Sequence, residues 1–159
     1  MSKLPEDSVN VSPVFQKRIK ELVADEECGN AEFADRCGIS RNIVSAAVNY
    51  GILPTVKTLI KIADHVGRSF AYVLGMSDEP AFEPAENPAS FHERLLLLIR
   101  ENNMRFSDVT NHPKATFSRN SIHVWIKRKN LPALEFLLQL AEIFRVSPDY
   151  LLGRTDYKN

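Results

Sequence analysis

At 159 residues and 18.0 kDa, with 44% hydrophobic and 25% charged residues, the chain has the composition of a globular protein of one domain or two small ones. Twenty Lys plus Arg balance twenty Asp plus Glu, and this net charge of zero argues at first sight against a nucleic-acid partner. No apolar run approaches the roughly 18 residues of a membrane span, MSKLPEDSVNVSPVF carries no signal-peptide h-region, and two cysteines outside any CxxC spacing suit a reducing cytoplasm.

Residues 1–12 read as an N-terminal arm. Phe15, Ile19, Leu22 and Val23 then follow the spacing of an amphipathic helix, with Ser12 as its N-cap and Pro13 at its first position. Gly29 breaks this helix. Residues 30–37 form a second one, with Phe33, Ala34 and Cys37 inward and Gly38 as its terminator. Ser40 caps a third helix, which runs to about Tyr50 with Val44, Ala47 and Val48 inward. Thr55 caps a fourth, built on Leu59, Ile62, Ala63 and Val66, and Ser69 opens a short fifth closed by Gly75. These five helices define a first domain over 13–78.

Residues 76–90, MSDEPAFEPAENPAS, carry Pro80, Pro84, Pro88 and four acidic groups, with no helical period. Such a segment reads as a stiff, partly extended linker over 79–89; the alternative is a loop packed on the domains with Phe82 as an anchor. Beyond it the scheme starts again. Ser90 and Glu93 form a capping box, and Leu95, Leu98 and Ile99 make the next stripe. Ser118 caps a helix that turns Ile122, Trp125 and Ile126 inward. Pro132 suits the first turn of the following helix, and Ser147-Pro148 opens the last. The recurrence is an internal repeat. LPTVKTLIKIADHVGRSFAYVLGMSD at 53–78 lies over LPALEFLLQLAEIFRVSPDYLLGRTD at 131–156 without a gap, at an offset of 78. Phe15-x-x-Arg18 matches Phe91-x-x-Arg94 at an offset of 76, so two extra residues fall around 114–116. No alternating strand pattern occurs. The expected fold is all-α: two tandem five-helix domains, 13–78 and 90–156.

A short helix, a Gly-Ile-Ser turn and a second short helix make the shape of a helix-turn-helix, here AEFADRCGISRNIVSAAV at 31–48. Followed by Leu53-Pro54, LIKIADHVG and Tyr72-Val73-Leu74-Gly75, it resembles the lambda repressor/Cro-like, XRE-type family of bacterial and phage regulators. The resemblance covers 15–78 and, more loosely, 91–156. It implies a non-enzymatic, double-stranded-DNA-binding regulator whose third helix lies in the major groove, commonly as a homodimer. Many members start the second helix with a Gln that holds a phosphate. Copy one has Asn30 there, and copy two has Phe106. The turn of copy two is HPKATFS, with Pro113 and the insertion, and Trp125 stands where copy one has Ala47.

The neutral total conceals an uneven distribution. Residues 1–80 hold 9 basic and 11 acidic groups, a net of −2, and residues 81–159 hold 11 and 9, a net of +2. Residues 30–56 set Arg36 and Arg41 against Glu32 and Asp35. Residues 106–134 set Lys114, Arg119, Lys127, Arg128 and Lys129 against Asp108 alone, a net of +4. Since phosphate affinity comes from Lys and Arg, copy two is expected to be the stronger DNA holder. The resemblance puts base readers at the start of each third helix: Arg41, Asn42, Ser45 and Asn49 in copy one; Arg119, Asn120, Ser121 and His123 in copy two. The bland alternative is that these are solvated first-turn residues. A linker of about 13 residues reaches about 40 Å when extended, enough for the roughly 34 Å between successive major grooves. One chain is thus long enough to act as a pseudo-dimer.

Leu96, Leu97, Phe136 and Ile143 replace Lys20, Glu21, Thr58 and His65 of copy one. Clustered apolar groups at polar positions suggest a self-association surface, or helices rotated so as to bury them. His65, His92, His112 and His123 show no metal-ligand spacing, and no glycine-rich phosphate loop occurs. Cys37 is expected in the core and Cys28 in a turn as a spectator thiol. No cofactor, small-molecule ligand or membrane partner is implied. A protein-interaction module that keeps the fold is the competing reading.

Overall fold

A computed structural model describes residues 10–159, which form ten α-helices and no strand. They divide into two compact units, one ending at Phe82 and one starting at Glu83. No helix among the described residues is long and apolar enough to cross a membrane.

The first unit comprises α1 (Pro13–Asp25), α2 (Asn30–Cys37), α3 (Arg41–Tyr50), α4 (Val56–Val66) and α5 (Phe70–Val73). Hydroxyl caps start four of them: Ser12 accepts from the Phe15 amide, Ser40 from Asn42, Thr55 from Thr58 and Ser69 from Tyr72. Each satisfies a donor that the first turn leaves without a helical partner. Phe15, Ile19, Phe33, Ala34, Val44, Leu59, Ile62, Phe70 and Val73 are buried and meet in one core. Full burial of each large apolar side chain contributes about 1.5–3 kcal/mol. Of the expected arm, residues 1–9 lie outside the described residues. Its end is tied down: Ser12 donates to the Gly51 carbonyl at 2.8 Å, and Val11 bridges to Ile52. A Cβ on Gly51 would stand 2.7 Å from the Ser12 carbonyl oxygen, so this position needs glycine as well as a φ of +71°.

The second unit comprises α6 (Phe91–Glu101), α7 (Phe106–Thr110), α8 (Arg119–Lys127), α9 (Leu134–Phe144) and α10 (Pro148–Leu151). Its first helix buries Phe91, Arg94, Leu95, Leu98 and Ile99, where α1 buries Phe15, Arg18, Ile19, Leu22 and Val23. The arginines are the polar members of each set. Arg18 lies 3.9 Å over the Tyr72 ring and donates to the Tyr72 and Ser77 carbonyls and to Asp78. Arg94 lies 4.1 Å over Tyr150 and reaches Asp156 at 3.5 Å. Each therefore fastens the end of its own unit to that unit's first helix.

Several local expectations change. Helix α1 stops at Asp25, and the reversal is made by Glu27 at a φ of +53°, while Gly29 serves as the N-cap of α2. Pro132 precedes α9, whose N-cap is Ala133. Ile126 is half-buried. The insertion lengthens one connection: α2 and α3 are joined by residues 38–40, whereas α7 and α8 are joined by 111–118. Pro113 contributes to this, because the residue before proline is steered away from helical backbone angles and α7 stops after five residues.

Part of the expected linker belongs to the second unit. The Ala85 amide donates to the Arg154 carbonyl at 2.8 Å and the Glu86 amide to the Asp156 carboxylate at 2.9 Å. A Cβ on Gly153 would fall 1.7 Å from the Ala89 carbonyl oxygen, so the strap lies directly on the chain there. Six residues, 79–84, separate Asp78, held by Arg18, from Ala85, held by Arg154.

Candidate nucleic-acid interface

In the first unit Phe33 and Ala34 of α2 and Val44 and Ala47 of α3 are buried, so the opposite faces of these helices point outward. Gly38, at a φ of +73°, closes α2 in the left-handed conformation, and Ser40 starts α3 two residues later. Arg41, Asn42 and Asn49 are exposed on α3, Ser45 is half-buried, and Asn30 is half-buried at the first position of α2.

The arginines of this surface are already engaged. Arg41 forks onto Asp35, Nε to Oδ1 at 3.1 Å and Nη2 to Oδ2 at 2.7 Å. This hydrogen bond holds the Asp35 carboxyl below the usual range and the Arg41 guanidinium above its own. Arg36 reaches Glu26 at 3.0 Å and Glu32 at 3.2 Å. Glu26 is shared with His65, whose Nε2 lies 2.9 Å from Oε2. Burial pushes the Glu26 carboxyl up, but the hydrogen bonds from His65 and Arg36 outweigh it and leave it lowered.

The second unit presents a different surface. Ile122 and Trp125 of α8 are buried, while Arg119, Asn120, His123 and Lys127 are exposed and Ser121 is half-buried. Trp125 packs against Phe117 at 5.3 Å, Phe136 at 6.1 Å and Phe91 at 6.2 Å between ring centroids. This cluster fills the space beneath α8 that Ala47 leaves in the first unit to other side chains. The Ser118 hydroxyl accepts from the Ser121 amide at 3.2 Å. His123 meets the Phe106 ring edge-on at 4.9 Å, so the residue at the Asn30 position supports α8 sideways and offers no amide.

Lys114 pairs with Glu142 at 3.2 Å. Arg119, Lys127, Arg128 and Lys129 make no ion pair among the described residues. Lys129 sits at a φ of +57° just beyond α8. The Ser90 hydroxyl holds Glu93 below the usual carboxylate range, and Lys129 adds a smaller pull. Of the four residues expected to form an apolar surface, only Leu97 is exposed; Leu96, Phe136 and Ile143 are half-buried, and Phe136 is part of the aromatic cluster.

Cys37 is buried, and that burial pushes its thiol up to about 12; Cys28 is half-buried. No group of three or more potential metal ligands occurs among the described residues. Sequence reasoning missed the Asp35–Arg41 fork, although an acid ending one helix and an arginine starting the next was a visible signal. It also registered Arg18 and Arg94 only as repeat markers. Their place on an apolar stripe, with Asp78 and Asp156 60 and 62 residues on, marked them as buried arginines reaching a carboxylate near the end of each unit.

No curated protein and no solved structure matches the chain. A helix-turn-helix family model of the XRE type, which suggests a DNA-binding regulator, matches residues 30–73, the stretch from α2 to the end of α5.

Proposed function

We propose that the protein is a sequence-specific, double-stranded-DNA-binding transcriptional regulator of phage and bacterial type, which represses by occupying a promoter or operator. The second unit is its main DNA holder. The observation that carries this is the exposed set of Arg119, Lys127, Arg128 and Lys129 at the two ends of α8, in no ion pair among the described residues although Lys129 also attracts Glu93, within a chain whose α2–α5 segment matches a helix-turn-helix family. On this reading 13–78 and 90–156 are two tandem helix-turn-helix domains on either side of 79–89. Helix α8 enters the major groove. Arg119 forks onto guanine, Asn120 onto adenine, and Ser121 and His123 follow along the groove. Lys127, Arg128 and Lys129 neutralise phosphates. Lys114 joins them by exchanging Glu142, since an exposed pair of this kind is worth under about 1 kcal/mol. Asn30, Arg41, Asn42, Ser45 and Asn49 are the corresponding candidates in the first unit. Leu96, Leu97, Phe136 and Ile143 mark the surface for homodimer or pseudo-dimer pairing, with Leu97 the accessible member. No cofactor or small-molecule ligand takes part.

A salt series on duplex DNA tests the proposal. Affinity is expected to fall steeply with salt, and Lys127→Glu/Lys129→Glu to weaken binding and flatten the slope by about 2. If neither random nor genomic DNA binds at low salt, the reading fails. A second reading, favoured by the Asp35–Arg41 and Arg36–Glu26/Glu32 pairs, gives the first unit to a protein partner. It predicts that Arg41→Ala leaves DNA affinity unchanged.

A further inference from the structure

The connection between α7 and α8 is eight residues long, 111–118, where the first unit uses three, 38–40. A connection of this length costs entropy to order, and it decides where α8 begins. Two local hydrogen bonds fold its first half: the Ala115 amide donates to the His112 carbonyl at 2.9 Å and the Lys114 amide to His112 Nδ1 at 3.1 Å. Its last apolar residue, Phe117, is buried against Trp125 and Phe136. Between these anchors Thr116 is exposed, and Gln139 of α9 holds it at both ends. The Thr116 amide donates to Gln139 Oε1 at 2.9 Å, and Gln139 Nε2 donates to the Thr116 hydroxyl at 2.8 Å. The amide side chain thus closes a two-bond ring with one residue of the loop, fixing both its position and its rotation.

The same position does the corresponding job in the first unit. At the offset of 78, Gln139 corresponds to Lys61. Lys61 Nζ donates to the Gly38 carbonyl at 3.4 Å, in the turn between α2 and α3. The two residues differ in chemistry because the two connections differ. A short turn exposes one carbonyl, which an ammonium satisfies. The longer loop presents an amide hydrogen and a hydroxyl together, which a carboxamide satisfies.

We infer that Gln139 is a positioning residue for DNA recognition: by clasping Thr116 it sets the start of α8, and with it Arg119 and Asn120, against the bases. This rests on the DNA-binding reading above. The clasp acts on the end of α8 that carries the readers, while Lys127, Arg128 and Lys129 lie at the other end. Loss of the clasp therefore affects discrimination between sequences more than general attraction to phosphate.

The test uses the full chain with two duplexes, one selected by the wild-type protein from a random pool and one of scrambled sequence. In Gln139→Met, an apolar side chain of similar length, the Thr116 amide is expected to exchange its hydrogen faster in the absence of DNA. The ratio of selected to scrambled affinity is expected to fall about tenfold, with the salt slope unchanged. Thr116→Ser, which keeps both groups, is expected to behave as wild type. The inference is overturned if Gln139→Met keeps the wild-type ratio, or if both affinities fall together as general destabilisation would make them. A wild-type chain that binds neither duplex at low salt overturns the DNA-binding reading first, and the positioning role with it.

Discussion

Asp35 and Arg41 face each other across the turn between α2 and α3, and their forked pair occupies the guanidinium at the start of α3. Neither residue is buried, so the pair adds little to stability, but it competes with any other anion for the guanidinium. Asp35→Asn is expected to release Arg41, raise affinity for nonspecific duplex DNA and steepen the salt slope by about 1. A titration at two salt concentrations reads this directly, and an unchanged slope means that the first unit does not face DNA. Glu26 makes a further testable case. Its folded carboxyl is held low, so at acid pH, between the lowered and the ordinary carboxylate values, the unfolded chain binds more protons than the folded one. The stability it contributes is present above the ordinary carboxylate range and is lost as pH falls through the lower folded value. Glu26→Gln is expected to flatten the acid limb of a stability-against-pH curve followed by circular dichroism.

At the scale of elements, capping hydroxyls and apolar stripes account for most of the helices. The starts of α1, α3, α4 and α5 fall at Ser12, Ser40, Thr55 and Ser69, as short-range rules require, because a cap depends only on residues three apart. Those rules do not reach Glu27, which reverses the chain at a φ of +53° without being glycine, or Ala133, which starts α9 from extended backbone with no side-chain cap. Helix α8 depends most on a single side chain. Trp125→Ala removes the centre of a ring cluster formed with Phe91, Phe117 and Phe136, at an expected cost of about 3–5 kcal/mol. Helix α10 carries a second vulnerability. Asp149 and Arg154 form a buried ion pair with side chains 5% and 8% exposed. Asp149→Ala removes this partner of the buried guanidinium, at an expected cost of about 1.5–3 kcal/mol. Urea unfolding measures both variants; a loss under 1 kcal/mol for either would mean that its site relaxes freely.

For the whole molecule, charge and family likeness point to different units. The helix-turn-helix match covers 30–73 in the first, where Arg36 and Arg41 are paired with acids, whereas Arg119, Lys127 and Arg128 at the two ends of α8 in the second stand outside any ion pair among the described residues. Paired arginines explain how both hold, since the family match rests on helix pattern and turn, which ion pairing leaves intact. Substituting each unit separately tests the division. Arg119→Ala is expected to cost about 1–3 kcal/mol of base discrimination, and Arg41→Ala to cost far less, as read by competition between duplexes.

The sequence by itself determined the all-helical character, the caps, the repeat offsets of 76 and 78 and the segregation of net charge into −2 and +2. These depend on neighbours along the chain or on simple counting. Only the tertiary structure decided which charges are available. Arg36 and Arg41 find acids brought alongside them by folding, Lys114 meets Glu142 on another helix, and Arg119, Lys127 and Arg128 are in no ion pair among the described residues. It also placed Gln139 on Thr116 and laid residues 85–89 on the second unit, where their composition reads as linker. Composition counts charges wherever they stand, but an ion pair forms only between groups within about 4 Å, and that distance is set by the packing of helices.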